Sequence, residues 1–178
     1  MHVRDSMEIV DFRLNPRVTF DRQSTIGNER VNARNMDSKT SWTTTTLQVR
    51  YAETDQMGVV YYANYMVWFE IGRTDFCRQH GFAYREMEQQ DGLFIMVAEA
   101  RCRYKAPARY DDEILLRTCL KGMRRRVLIF GYEVYRQATN ELLAEGETVH
   151  VITDREGHPR SLPDKYRERF EAGPNGPG

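Results

Sequence analysis

The sequence predicts an α+β domain in which an antiparallel sheet of about five strands wraps around one long helix. Three observations support this prediction: a single alternating strand comes first, one long amphipathic helix follows it, and mainly strands follow that helix. The chain has 178 residues, which suits one domain with a hydrophobic core and is too short for two ordinary domains. The order of elements contains no βαβ alternation, which disfavours a dinucleotide-binding fold.

Periodicity marks the first strand and the helix separately. Asn64 is a candidate cap for the helix, whose apolar side chains continue at helical spacing until Gly81. Gly72 lies inside this helix, where glycine costs about 1 kcal/mol relative to alanine, so we expect close packing against another element there. In the strand, four alternate side chains are expected to point inward: Thr45, Leu47, Val49 and Tyr51.

The remaining elements are predicted in order along the chain. Residues 84–91 are typical of a short surface helix that ends at Gly92. A long strand then runs to Pro107, with inward side chains expected at Phe94, Met96, Ala98, Ala100, Cys102 and Tyr104. A short closing helix is expected over residues 163–170. Three further strands are predicted between these elements, at residues 113–122, 125–137 and 141–153.

The two ends of the chain differ from this folded part. Residues 1–42 have no sustained period and are rich in polar residues, so we predict a disordered extension. Met36 lies just before the predicted domain, and the natural start could be there. The domain itself is predicted at residues 43–171, with a flexible tail rich in glycine and proline at 172–178.

Composition excludes several classes of function. Lysine plus arginine and aspartate plus glutamate number 26 each, so no overall field favours nucleic acid as a partner. No apolar run is long enough to span a membrane, and the charged N-terminus is unlike a signal peptide. Cys77, Cys102 and Cys119 match neither a zinc site nor a disulfide framework, and the histidines form no ligand cluster. We therefore expect a cytoplasmic protein without a metal and without integral membrane association.

The stretch between the first strand and the helix carries the candidate chemistry. Glu53 and Asp55 precede Gly58, and the helix begins between Tyr61 and Tyr65. A carboxylate next to a helix N-terminus combines a base or nucleophile with N–H donors for developing negative charge, which suits attack on a carbonyl. Asp55 is also a good turn former through hydrogen bonds to its own backbone. Either carboxylate could be the reactive group, and repulsion between them would raise one pKa.

A longer set of residues in this order resembles a known family. The chain resembles the 4-hydroxybenzoyl-CoA thioesterase family of hotdog-fold acyl-CoA thioesterases, close to the branch associated with the Tol–Pal cluster. The similarity extends over about residues 44–170. The residues that carry it are Tyr51, Thr54, Asp55, Gly58, Val60, Tyr61, Asn64, Tyr65, Glu70, Arg73, residues 104–108, Asp111 and Asp112.

The resemblance implies a hotdog fold and the hydrolysis of an acyl-CoA thioester to a free acid and CoA. It assigns Asp55 as the group that attacks the thioester or activates water, and the backbone amide of Tyr62 as the group that polarises the carbonyl. Glu53 is then left as a structural residue. The positions that it implies for substrate binding are Gly58, Val60, Glu70, Arg124, Arg125 and Arg126, the three arginines gripping the phosphates of CoA.

Some of these roles have alternatives. Glu70 could accept a hydrogen bond from the substrate or make a structural contact, for example with Arg73, and we favour the structural contact. The arginine run could also be a solvated strand edge. Alternation would send Arg125 to the face opposite Arg124, so we do not expect all three arginines to touch the ligand. Tyr62 stands where the Tol–Pal branch often has a histidine, so a histidine-assisted route is not expected.

The sequence therefore predicts an acyl-CoA thioesterase that needs no metal or organic cofactor, with CoA entering as part of the substrate. The resemblance implies a homo-oligomer, a dimer or tetramer, with active sites at the shared interface. Alternative substrates are aromatic acyl-CoA or acyl carrier protein thioesters. A non-enzymatic module that binds acyl-CoA is a further alternative, which Asp55 and Gly58 together disfavour. A hydratase is disfavoured because no short segment contains an Asp/His pair.

Overall fold

The computed structural model describes residues 41–174. In this part of the chain the predicted α+β class and all the predicted helices and strands are found. A short 3₁₀ helix at Tyr51–Glu53 follows the first strand. The other elements are β1 (Trp42–Gln48), α1 (Asn64–Gln79), α2 (Tyr84–Asp91), β2 (Phe94–Tyr104), β3 (Glu113–Met123), β4 (Val127–Arg136), β5 (Glu141–Thr153) and α3 (Asp164–Ala172).

The described residues begin inside the predicted N-terminal extension and end inside the predicted tail. Residues 1–40, Met36 among them, and residues 175–178 lie outside the described part, and so do the predictions made for them. β1 begins at Trp42 and α3 ends at Ala172, each one residue outside the domain limits expected from the sequence. None of the helices in residues 41–174 has the length and apolar character needed to cross a lipid bilayer.

The five strands form one antiparallel sheet in the order β1-β3-β4-β5-β2, so β1 and β2 are its edges. Helix α1 crosses one face of this sheet and contacts β1, β2, β3 and β4. Phe69 of α1 stacks on Tyr132 of β4 with ring centroids 4.3 Å apart. Phe76, two turns later, packs edge to face on Phe130 at 5.6 Å. Burial of these rings between helix and sheet forms the core.

Two glycines allow α1 to approach the sheet closely. A Cβ at Gly72 would lie 2.5 Å from Oγ1 of Thr118 and 2.7 Å from Cδ2 of Leu116, both on β3. A Cβ at Gly146 of β5 would lie 2.4 Å from the ring of Phe69. The close packing predicted at Gly72 is therefore confirmed, and the sheet supplies a matching glycine.

Several inward directions predicted from alternation were wrong, including those of Ala98 and Ala100, which are exposed on β2. Tyr51 is 78% exposed, because the chain leaves β1 after Gln48 and turns into the 3₁₀ helix. In β2 the pairing with β5 shifts between Val97 and Glu99, which is a β-bulge. The extra residue changes the face of the preceding positions, so Ile95 packs against the core in place of Met96.

Replacing Gly146 by alanine tests this close approach. Gly146→Ala is expected to lower the free energy of unfolding by about 2 kcal/mol, because overpacking outweighs the intrinsic gain of alanine over glycine. The new Cβ would meet a buried ring and the backbone oxygen of Arg101 at 2.9 Å. Chemical denaturation measures the change. Gly122→Ala on β3 is the control, since its nearest atom lies at an ordinary 3.5 Å. Equal stabilities of the two variants would contradict the packing described.

Candidate active site

Glu53 joins the end of β1 to the start of α1. Its carboxylate accepts hydrogen bonds from the backbone N–H of Arg50 (2.8 Å), the guanidinium of Arg50 (3.1 Å) and the indole N–H of Trp68 (3.3 Å). Its backbone carbonyl accepts the N–H of Tyr61 and the side-chain amide of Asn64, both at 2.8 Å. Five donors therefore meet on one buried residue, which fixes both ends of the intervening loop.

These donors also set the charge of Glu53. Burial alone would raise the pKa of this carboxyl, but the hydrogen bonds from Arg50 and Trp68 outweigh burial and hold the pKa below its ordinary value. The pKa of Glu53 is therefore lowered, whereas the repulsion by Asp55 considered from the sequence would raise it. Glu53 is thus a buried, structural anion.

Asp55 lies at the base of a tight turn. Its backbone N–H donates to the carbonyl of Val59 (2.9 Å), and its carbonyl accepts the N–H of Gly58 (2.9 Å). Its side-chain Oδ1 accepts the N–H of Met57 at 2.8 Å. Among residues 41–174, Oδ2 has no hydrogen-bond partner. Asp55 is therefore a turn former, as its sequence context suggests, and also a carboxylate with one free oxygen.

Gly58 and Val60 have different positions in this turn. Gly58 has a φ of +69°, yet a Cβ there would meet nothing within 4 Å, so glycine is needed for the backbone conformation and not for space. It does not line the cleft described below. Val60 does, and its buried backbone N–H donates to the carbonyl of Ala108 at 2.8 Å.

Helix α1 begins at Asn64, inside the predicted interval. Asn64 is the first helical residue and not the cap expected from sequence, because Ala63 occupies that position and the Asn64 amide reaches Glu53. The N–H of Asn64 donates to the carbonyl of Tyr61 at 2.9 Å. That carbonyl shares its peptide group with the N–H of Tyr62, so the hydrogen bond strengthens Tyr62 as a donor. The Tyr62 N–H has no acceptor among residues 41–174.

A cleft of about 330 Å³ has both Asp55 and Tyr62 in its wall. The wall is mostly apolar and aromatic, and it brings together a turn, the start of α1 and the end of β2. Residues 104–107 belong to the motif that carries the family resemblance, but the sequence assigns them no role, since pattern alone does not distinguish a tyrosine in a cleft from one in the core. The lining residues are Asp55, Met57, Val59, Val60, Tyr62, Tyr65, Tyr104, Lys105, Ala106 and Pro107.

Glu70 does not reach this cleft. It lies on the exposed face of α1 and accepts the hydroxyl of Thr74 at 3.2 Å. It makes no ion pair with Arg73 in the described chain. Arg73 is buried, with its guanidinium 5.9 Å from the ring centroid of Tyr84.

Arg124, Arg125 and Arg126 lie in the hairpin between β3 and β4, and the expectation that they lie on a strand is wrong. Arg125 donates its Nε–H to Oγ of Ser161 at 2.8 Å. The eleven residues of β3, about 35 Å at strand spacing, separate this hairpin from the cleft near the start of β3. The arginines and Asp55 are therefore not brought together within one chain.

A group of possible metal ligands occurs elsewhere, where the histidine positions did not predict one. Asp154, Glu156 and His158 offer ligand atoms within 4.8 Å of one another on the loop after β5. Arg160 already pairs with the Asp154 carboxylate at 2.7 Å. The group is remote from the cleft in sequence and takes no part in the chemistry considered below.

Replacing Glu53 by glutamine tests its structural charge. Its pKa is lowered by folding, so the ionised carboxylate adds stability above its unfolded pKa of about 4.3 and loses that contribution as pH falls through the folded pKa. Glu53→Gln is expected to lower the free energy of unfolding at about pH 7 by about 2 kcal/mol, and by less as the pH approaches about 3. Urea denaturation between about pH 3 and about pH 7 measures the loss of stability at each pH, with the exposed Glu70→Gln as the control. A loss of unfolding free energy that does not depend on pH would contradict the structural role of the Glu53 charge.

Known proteins are similar to this chain in sequence. A family model described as the thioesterase-like superfamily matches residues 49–170. YneP of Bacillus subtilis (strain 168), a candidate acyl-CoA thioesterase, is 36% identical over 124 residues, covering 70% of this chain and 86% of YneP. The acyl-CoA thioester hydrolase YbgC of Escherichia coli O6:H1 is 34% identical over 126 residues, covering 70% and 92%.

Solved structures agree with this result. The DHNA-CoA thioesterase from Staphylococcus aureus superposes with a TM-score of 0.70 at 30% identity, covering 73% of this chain and 89% of that chain. A Thermus thermophilus protein, TT1821, superposes with a TM-score of 0.69 at 36% identity, covering 74% of this chain and 96% of TT1821. The resemblance drawn from the sequence is confirmed. This chain therefore belongs to the thioesterase-like superfamily and has its hotdog fold.

Proposed function

We propose that this protein hydrolyses acyl-CoA to a free carboxylic acid and CoA in the cleft that Asp55 and Tyr62 share. The chain is a thioester hydrolase, and the relatives YneP and YbgC are named for acyl-CoA. One observation carries the assignment of residues: a carboxylate with a free oxygen and a backbone N–H with no acceptor in residues 41–174 line the same cleft. These are the two groups that attack on a thioester requires.

Two routes use these groups in the same way. In one, a carboxylate oxygen of Asp55 attacks the carbonyl carbon, the C–S bond breaks, CoA leaves as a thiolate, and water hydrolyses the mixed anhydride. In the other, Asp55 takes a proton from a water molecule that attacks the carbonyl directly, the C–S bond breaks, and the departing CoA thiolate takes up the proton. Both routes place negative charge on the carbonyl oxygen, and the Tyr62 N–H stabilises this charge by donating a hydrogen bond to that oxygen. Loss of one such donor typically raises the barrier by about 2.7–4 kcal/mol.

We propose that the active protein is a homo-oligomer, a dimer or a tetramer. Val67 and Ile71 are exposed one turn apart on α1, at 46% and 39%. Val97 is 49% exposed on β2, an edge strand whose outer backbone groups are available for pairing. A second copy that covers these apolar side chains would remove them from water.

The arginines in the hairpin between β3 and β4 also support a homo-oligomer. Arg124 and Arg126 are exposed and make no ion pair within residues 41–174, and guanidinium groups match phosphate geometry well. Because they lie about 35 Å along β3 from their own cleft, they can hold the phosphates of CoA only for a cleft of another subunit. Arg125, held by Ser161, is the least available of the three.

The acyl group and the compartment are also part of the proposal. The tyrosine rings of Tyr62, Tyr65 and Tyr104 line the cleft, which favours aromatic acyl-CoA as a second candidate substrate class. Thiol release from a panel of short, long and aromatic acyl-CoA substrates separates the two classes.

A cytoplasmic location is supported by the cysteines, which are all free in the structure.

Asp55→Asn is expected to lower kcat by about a thousandfold or more, since neither attack nor proton abstraction is possible with an amide. The asparagine oxygen can still accept the Met57 N–H, so the turn should persist. Thiol release measures the rate. Asp164→Asn, an exposed carboxylate on α3, is the matched control and should keep wild-type turnover. Wild-type turnover by Asp55→Asn would remove the assignment.

The double variant Arg124→Ala/Arg126→Ala is expected to raise KM for acyl-CoA by about tenfold at low salt, with kcat unchanged, because two phosphate contacts are lost. The difference should shrink as salt screens these contacts. KM for the corresponding acyl-pantetheine, which lacks the nucleotide phosphates, should be unaffected. Arg85→Ala, another exposed arginine, serves as the control. An unchanged KM for acyl-CoA would refute this role.

A further inference from the structure

Tyr104, the last residue of β2, reaches across the cleft to the residue that supplies the N–H donor. Its hydroxyl donates to the carbonyl of Tyr62 at 3.0 Å, a contact between residues 42 positions apart. The ring of Tyr104 packs edge to face on Tyr65, with centroids 5.0 Å apart. The Tyr65 hydroxyl in turn accepts the N–H of Ala108 at 3.3 Å. Tyr104 is therefore fixed by its own packing and presents its hydroxyl to Tyr62.

Few other contacts hold Tyr62 in place. Its side chain is 61% exposed, and its ring packs on that of the adjacent Tyr61, also exposed, with centroids 4.5 Å apart, so packing of the ring adds little restraint. Within the chain its carbonyl also accepts the N–H of Tyr65, at a long 3.4 Å. The N–H and the carbonyl of Tyr62 flank the same Cα, so a hydrogen bond to the carbonyl limits rotation that would turn the N–H out of the cleft. Burial raises the pKa of the Tyr104 hydroxyl, which keeps it a donor.

We propose that Tyr104 is a positioning residue for thioester hydrolysis, holding Tyr62 in the conformation that directs its N–H at the thioester oxygen. The inference rests on the proposed function, because it places Tyr104 behind the donor used in that reaction. Tyr104 transfers no proton and forms no bond to the substrate. Its contribution lies in the orientation of a donor before the charge develops, which is where such donors gain their effect.

The variant Tyr104→Phe removes one hydroxyl and keeps the ring on Tyr65. We expect kcat to fall about tenfold, the size of one ordinary hydrogen bond, with KM for acyl-CoA within about twofold of wild type. Lost packing alone would lower thermal stability without lowering kcat selectively. Tyr135→Phe is the matched control, since it deletes a hydroxyl that donates to Glu133 at 3.2 Å outside the cleft. Its kinetic constants should be those of wild type.

The restraint is also measurable without turnover. In ¹⁵N-labelled protein, the amide signal of Tyr62 should shift and its ¹H–¹⁵N order parameter should fall in Tyr104→Phe but not in Tyr135→Phe. An unchanged Tyr62 amide, or an unchanged kcat in Tyr104→Phe, would overturn the proposal. If the wild-type protein released no thiol from any acyl-CoA, the proposed function would fail instead, and the Tyr62 amide would still decide whether Tyr104 holds that residue.

Discussion

The site depends on the hydrogen bonds that converge on Glu53. The loop that carries Asp55, the proposed reactive carboxylate, loses conformational entropy when it is fixed, roughly 1–2 kcal/mol per residue, and other interactions must offset that loss. Glu53 does so at both ends, because its charged carboxylate holds Arg50 and Trp68 while its carbonyl holds Tyr61 and Asn64. A charged acceptor is well suited here, since its hydrogen bonds are stronger than neutral ones. The pKa of Glu53 is lowered because the hydrogen bonds from Arg50 and Trp68 stabilise its charged form.

The geometry of the cleft follows from this junction. The turn leaves one oxygen of Asp55 free, and the start of α1 leaves the N–H of Tyr62 free among the described residues. The Tyr61 carbonyl bonded to Asn64 and the Tyr62 carbonyl bonded to Tyr104 hold the backbone on either side of that N–H. A donor fixed in this way needs no reorganisation when negative charge forms, which is the basis of the role proposed for the Tyr62 N–H. The buried anion is thus structural, and the partly exposed one is the candidate reactive group.

Much of the fold could be predicted from the sequence, because periodicity and turn residues marked both ends of α2 and of β5 to the residue. The bulge in β2 could not be predicted from the sequence, because the alternation from Phe94 to Tyr104 is that of one regular strand. Residues 124–126 contain no glycine or asparagine to mark a hairpin, so the strand predicted at residues 125–137 takes in Arg125 and Arg126. Asp55 was accessible through its motif, but the role of Tyr104 depends on a long-range contact that no local pattern encodes.

The most direct test is a crystal structure of Asp55→Asn with the acyl-CoA that the wild-type protein hydrolyses fastest. We expect the thioester in the cleft, its carbonyl oxygen about 3 Å from the Tyr62 nitrogen and its carbonyl carbon facing the substituted side chain of the variant. A thioester bound outside this cleft, or a carbonyl oxygen that meets donors other than the Tyr62 N–H, would contradict the proposed arrangement.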